Sequence, residues 1–193
     1  MLGDSALDQL FRAARSTHTF TSQPVTDDVL RHLYDLLKWG PTAWNAQPGR
    51  YLFVRSAEAK ARLAPALSSS NRSKTLVAPV TGIIAYDTRF FDRLGEWSPG
   101  STAQELLSKN TTLAEVTALR NGTLQGAYLI LAARALGLAA GPMSGFNADA
   151  VNKEFFADST WRANFLVNLG YPDGSTARPR AARVPFDDAV RIV

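Results

Sequence analysis

Residues 113–136, LAEVTALRNGTLQGAYLILAARAL, form the longest helical pattern in the chain, and its centre is apolar on more than one side. A helix that is apolar all round has to be buried rather than laid on a surface. Gly122 and Gly126 stand one turn apart within it. Each costs about 1 kcal/mol relative to alanine inside a helix, so the pair implies a packing demand: with no side chains there, another helix can approach closely. The stretch predicts a central core helix. It reads as crossing its symmetry mate in a dimer, with a single buried helix in a monomer as the alternative.

Around it the pattern changes repeatedly. Leu7, Leu10, Phe11 and Ala14 recur at helical spacing and predict an amphipathic helix over 4–14 with an acidic start. Thr26, Asp27 and Asp28 supply a cap and first-turn acids for a second helix whose face carries Val29, Leu30, Leu33, Leu36 and Leu37, with His32 on its surface. Gly40 and Pro41 end it. Short apolar strands are predicted at 51–54, 80–86 and 165–171; Ser56 caps a helix through Leu67 that Pro65 distorts, and Asn147 caps one running toward Phe156. Residues 87–108, with Pro99, Gly100 and few apolar repeats, read as a mobile excursion, the candidate cover for a pocket.

The whole chain, 1–193, is one domain of ordinary length, and with no cysteine it has no disulfide framework, thiolate metal site or cysteine nucleophile. Its start, MLGDSALDQL, lacks the features of a signal peptide, and the longest apolar run, 127–133, is too short to span a bilayer and is followed by Arg134. A cytoplasmic protein is expected. The net charge of +4 comes mainly from scattered arginine, which argues against nucleic acid but leaves a small anionic ligand open.

Several stretches carry chemistry. In residues 38–48, KWGPTAWNAQP, Thr42, Trp44, Asn45 and Gln47 gather a hydroxyl, an indole and two amides, suited to stacking on a flat heteroaromatic ring and to pairing along its edge; the same residues also suit an ordinary loop around a buried Trp. Arg15, Ser16, Thr17 and His18 concentrate donors at a chain turn, fit for a phosphate or for a solvated helix end. Asn71 and Lys74, three apart, would share a helical face and could meet one ligand together. The loop 138–146, LAAGPMSGF, follows a helix and lacks GxGxxG spacing, so no dinucleotide fingerprint is present, but its small residues let backbone N–H groups come close to a ligand plane. Arg178, Arg180 and Arg183 return near the end.

In this order ARSTHTF, WGPTAWNAQP, NRSK before a strand, LGLAAGPMSGF after a long helix and RVPFDD near the end resemble the nitroreductase family of FMN-dependent oxidoreductases over nearly the full chain. The WGPT loop, ALSSSNRSKTLVAPVTGIIAYD, LQGAYLILAARALGLAAGPMSGF and NLGY look most like its malonic semialdehyde reductase branch, associated with pyrimidine breakdown. The resemblance implies an α+β three-layer fold, a central antiparallel or mixed sheet flanked by helices, with the long central helix at a homodimer interface and two FMN sites each built from both chains. It further implies that Arg15, Ser16 and Arg183 hold the FMN phosphate with His18 nearby, that Pro41, Thr42, Ala43 and Asn45 line one ring face, that Asn71 and Lys74 reach the pyrimidine edge, and that Pro142, Met143, Ser144 and Gly145 lie against the other face. The activity implied is NADH- or NADPH-driven reduction of a small carboxylated aldehyde by ping-pong hydride transfer through flavin N5, with Lys74 as electrostatic support and no protein nucleophile. A broad nitroaromatic or quinone reductase and a flavin-sequestering protein without turnover share the same site.

Overall fold

The computed structural model describes residues 1–174 and 179–193; Arg178 lies outside the described residues. The chain opens with α1 (Asp4–Leu7), which runs on as a wider helical turn over Asp8–Arg12, where the amide of Ala13 reaches back to the Asp8 carbonyl. The first helix is therefore shorter and looser than its apolar spacing predicts. Next comes α2 (Asp27–Leu37), capped by the Thr26 hydroxyl, which accepts from the Val29 amide at 3.3 Å. Strand β1 (Gly49–Val54) leads to α3 (Ala57–Leu63), capped by Ser56 and finishing in a tighter turn over Ala64–Ala66, where Pro65 withholds its donor. Then follow α4 (Ser69–Val77), β2 (Val80–Asp87), α5 (Leu94–Trp97), α6 (Ala103–Lys109) and the long α7 (Thr111–Ala135). After α7 the order is β3 (Ala139–Met143), α8 (Ala148–Phe155), β4 (Trp161–Gly170) and α9 (Phe186–Ala189).

Among the described residues one four-stranded sheet forms, in the order β1-β2-β4-β3, and every neighbouring pair is antiparallel. β2 shows how the core is divided. Val80 and Ile84 face one way, into a layer with Leu33 and Leu37 of α2 and Leu129 and Ala133 of α7. Ile83 and Ala85 face the other, into a layer with Leu63 of α3, Val151 of α8 and Leu166. Period-two alternation on a strand covered on both sides thus gives helix, sheet and helix as three layers.

Three expectations change. Gly122 and Gly126 are indeed close-approach positions, but what approaches is the chain's own sheet: a Cβ at Gly126 would lie 2.5 Å from Phe165 and 3.0 Å from Ile84, and one at Gly122 would lie 3.0 Å from Tyr86. The segment 87–108 is largely helical, with Phe90, Phe91, Leu94 and Leu107 buried against Ala114 and Ala118 of α7. The small-residue stretch after α7 is an edge strand rather than a loop, and its Pro142 is tolerated because one side of β3 has no strand to serve.

Candidate functional site

The first part of the site is built where the N-terminal segment meets the end of α7 and the C-terminal segment. Past the loosened first helix, Arg15 turns its guanidinium onto the carbonyls of Arg12, Ala13 and Ala14, each at 3.0 Å. Ser16 then pairs in a parallel bridge with Ala140 on β3. Gly141 permits this approach, since a Cβ there would sit 2.6 Å from the Thr17 carbonyl oxygen. Arg134, in the last turn of α7, donates from Nη1 to the Leu10 carbonyl at 2.9 Å. Arg180 donates to the carbonyls of Phe11 and Ala14, both at 3.0 Å, and to that of Arg12.

Arg15, Ser16, His18, Arg134, Arg180 and Arg183 together line a cavity of about 390 Å³, and no carboxylate is among its described lining residues. The guanidiniums feel one another. Burial lowers the Arg134 pKa and the nearby Arg180 lowers it further; desolvation lowers that of Arg180, with Arg15 and Arg183 adding to it. Like charges gathered without a counter-charge form a place for an anion, and the forked guanidinium suits phosphate oxygens.

From this basin β3 runs toward the second part. At its far end the Asn71 amide donates to the Gly145 carbonyl at 2.9 Å, and the amide of Ser68 donates to the same oxygen at 3.0 Å. A Cβ at Gly145 would lie 2.7 Å from Asn71 Nδ2, so the turn is fitted to that side chain. Helix α4 is fixed beneath by a buried chain of bonds: Thr81 donates to Asn168 at 2.7 Å, Asn168 to Thr75 at 3.3 Å, and Thr75 to the Met143 sulfur at 3.6 Å. This fixes the stretch of α4 that carries Lys74, next to Thr75. Its half-buried ammonium makes no hydrogen bond or ion pair among the described residues. Met143 is buried in the core, so only its backbone can serve a ligand, whereas Pro142, Ser144 and Gly145 are exposed.

The third part stands apart. Ala43–Asn45 form a single turn of helix in which Trp44 and Asn45, like the following Gln47, hold positive φ (54°, 52° and 46°). The turn is tied down from several sides: the Ala43 amide donates to Asn121 of α7 at 2.8 Å, the Gln47 amide to the Thr42 hydroxyl at 3.1 Å, and the Asn45 amide group to the Trp97 carbonyl at 3.2 Å. Trp44 is not the buried core residue of an ordinary loop; it is 42% exposed. This turn feeds β1, whereas the other two parts flank β3, and β1 and β3 are opposite edges of the sheet.

The structure therefore brings Arg15, Ser16, His18 and Arg183 together, joins Asn71 to Gly145 with Lys74 one turn further along α4, and leaves Pro41, Thr42, Ala43 and Asn45 on the far edge. Arg134 and Arg180 are additions that the sequence pattern did not single out as site residues; the signal available was a lone arginine closing the longest apolar run. A larger cavity, of about 860 Å³, lies between α2 and β1 under Trp97, but it contains none of these residues apart from Gln47, and its lining carries charges of both signs.

A sheet covered on both faces, with a cationic basin free of carboxylates at one edge, defines an α+β protein with a place suited to a small anion. The nitroreductase family model matches residues 11–171. A Burkholderia lata protein with the provisional name NADH dehydrogenase/NAD(P)H nitroreductase is 54% identical over 191 residues, covering 99% of this chain and 98% of its own. A Bacillus subtilis structure, provisionally named a nitroreductase, superimposes with a TM-score of 0.84 at 22% identity, covering 99% of this chain and 100% of that one. Another, from Exiguobacterium sibiricum and determined in complex with FMN, gives 0.82 at 20% identity, covering 100% and 99%. The chain belongs to the nitroreductase family.

Proposed function

We propose that this protein is an FMN-dependent oxidoreductase that draws on NADH or NADPH and works as a homodimer. The observation that carries the reading is the arginine basin without a carboxylate, connected along β3 to Gly145 and Asn71, with Lys74 one turn further along the same helix. Those residues fit the cofactor. The basin, with Arg15, Ser16, His18 and Arg183, would hold its phosphate; Asn71 and the open backbone of 142–145 would meet the ring; and Lys74 would present a cation where a reduced flavin gathers negative charge. Bound FMN supplies a two-electron relay between the nicotinamide and an acceptor that take turns in the same space. The relatives' names, which speak of NAD(P)H and nitro compounds, agree with this chemistry.

The homodimer is supported by an uncovered apolar arc on α7, where Val116, Leu119, Leu124 and Tyr128 are 38–47% exposed, and by the far-edge position of 41–45, which a second copy would bring to the ring. For the acceptor, the likeness of extended segments supports a small carboxylated aldehyde, 3-oxopropanoate going to 3-hydroxypropanoate. Arg120, exposed on α7 and unpaired among the described residues, is free to meet its carboxylate, whereas Arg72 is turned onto the carbonyls of Ala64 and Leu67. A second reading, a planar nitroaromatic or quinone acceptor, is favoured by the partly exposed Trp44 and by the relatives' names.

The purified protein should be yellow or take up FMN stoichiometrically, and NAD(P)H should bleach it. A protein that stays colourless in excess FMN refutes the reading, and flavin that no nicotinamide reduces leaves a sequestering protein. Steady-state rates with 3-oxopropanoate against a nitroaromatic panel separate the acceptors; an aldehyde rate at background removes the first.

A further inference from the structure

We propose that Arg134 is itself a ligand of the anion in the basin, and that through it the end of α7 selects a phosphorylated flavin over the unphosphorylated one; this rests on the FMN reading above. A cation in the last turn of a helix is ordinarily explained by the helix dipole. Here the side chain does something else. Its Nη1 is committed to the Leu10 carbonyl on a different segment, while its Nε is shielded from solvent and has no hydrogen-bond acceptor. Buried N–H groups are costly when left unmade, and guanidinium ones more so. The residue stands on the wall shared by the 390 Å³ basin and an adjoining cavity of about 290 Å³ that contains Ser16, Thr17, Ala140 and one carboxylate, Asp173, which is not among the residues lining the basin. The charges facing it across the basin are Arg15, Arg180 and Arg183, all of its own sign. An oxyanion with several lone pairs satisfies the open donor and relieves the repulsion together; a neutral ribityl hydroxyl could do only the former.

The test compares two ligands that differ only in the phosphate. Apoprotein of the wild type, Arg134→Met and Arg134→Lys is titrated with FMN and with riboflavin by flavin fluorescence, and its melting temperature is followed with inorganic phosphate. Loss of one charge-assisted contact should weaken FMN binding about 10- to 100-fold in Arg134→Met. Riboflavin affinity should stay within about twofold, since it lacks the affected group. Arg134→Lys should recover part of the FMN loss, and the upward shift in melting temperature with phosphate should vanish in the methionine variant. Equal weakening of both flavins would make Arg134 only a clasp for the Leu10 segment and overturn the proposal, as would unchanged FMN affinity. Wild-type protein that takes up neither flavin fails the underlying reading, and does so before any variant is made.

Discussion

Gly141→Ala tests whether the contact between β3 and the Arg15–His18 segment positions the phosphate site. Gly141 pairs with Asn168 on β4 while its neighbour Ala140 bridges to Ser16 on the other side. The added methyl would meet the Thr17 carbonyl oxygen at 2.6 Å, with its next contacts at a comfortable 3.7 and 3.8 Å. A carbon and a carbonyl oxygen rest at about 3.3 Å, so one of the two backbones must yield by about 0.7 Å. Neither is a side chain that can rotate aside. Overpacking of this kind costs about 1–3 kcal/mol, readable as a lower urea midpoint at constant slope. The segment that yields carries Arg15, Ser16 and His18, so FMN affinity should fall about tenfold, the equivalent of one weakened charge-assisted bond, with riboflavin much less affected. Gly137→Ala is the control. Its φ is +78° with nothing within 4 Å of the new methyl, so it should lose about 1–2 kcal/mol of stability through backbone strain alone and leave FMN affinity intact. If Gly141→Ala binds FMN like the wild type despite its stability loss, the approach of Thr17 to β3 is not what sets the site.

Two further outcomes are expected. Leu119→Glu, placed on the exposed arc of α7, should shift the protein to monomer in sedimentation velocity and abolish FMN uptake with it; a monomer that retains full flavin refutes a site made by two chains. Lys60 is buried, with its ammonium on the carbonyls of Leu76 and Ala78 at the end of α4, and burial lowers its pKa below the ordinary lysine value. Between the lowered pKa and about 10.4 the unfolded chain keeps a proton that the folded chain has released, so the stability of the wild type gains with pH there, by at most about 1.4 kcal/mol per pH unit. The deficit of Lys60→Met in urea unfolding should therefore widen from pH 7 to pH 10, and a deficit that narrows would contradict the assignment.

How far the sequence can be read depends on what each signal encodes. Periodicity over many residues survives folding: α2 and α7 lie close to where their apolar spacing places them, and β2, a largely apolar stretch, buries both faces. The resemblance carried the layer architecture. Short elements fail because they accumulate no period. Phe90, Phe91, Leu94 and Leu107 are core residues on helical turns of four to seven residues, and their spacing looks irregular in a linear text. Ala139–Met143, with a glycine and a proline, has no strand propensity of its own and is a strand because β4 offers it a ladder. Gly122 and Gly126 announced a close approach without saying by what, since a missing side chain carries no information about the partner. Arg134 was hidden for a related reason: its significance lies in sharing one basin with Arg15, Arg180 and Arg183, which only the tertiary structure reveals.

If the proposed site includes the turn before β1, its division between the two sheet edges is the strongest constraint on how it would work. Three inter-strand spacings separate β1 from β3 in the order β1-β2-β4-β3, about 14 Å through a sheet whose faces are covered by helices. One flat ring beside Gly145 cannot also rest on Thr42, Ala43 and Asn45 of the same chain across that distance. The far-edge turn is nevertheless held for some purpose, since Trp44, Asn45 and Gln47, three of four successive residues, are at positive φ and cost about 1–3 kcal/mol each, and its polar groups are tied to Asn121 and Trp97 rather than left to relax. Asn121 belongs to α7, the helix whose outer arc is apolar and uncovered. A second copy docked on that arc would carry its own turn along, anchored through Asn121, so the helix that organises the core would also set how accurately the partner's turn meets the ring. On the proposed dimer reading Asn121 would be a positioning residue for a site it does not touch, and the accuracy of cofactor binding would rest on the rigidity of α7 more than on any loop.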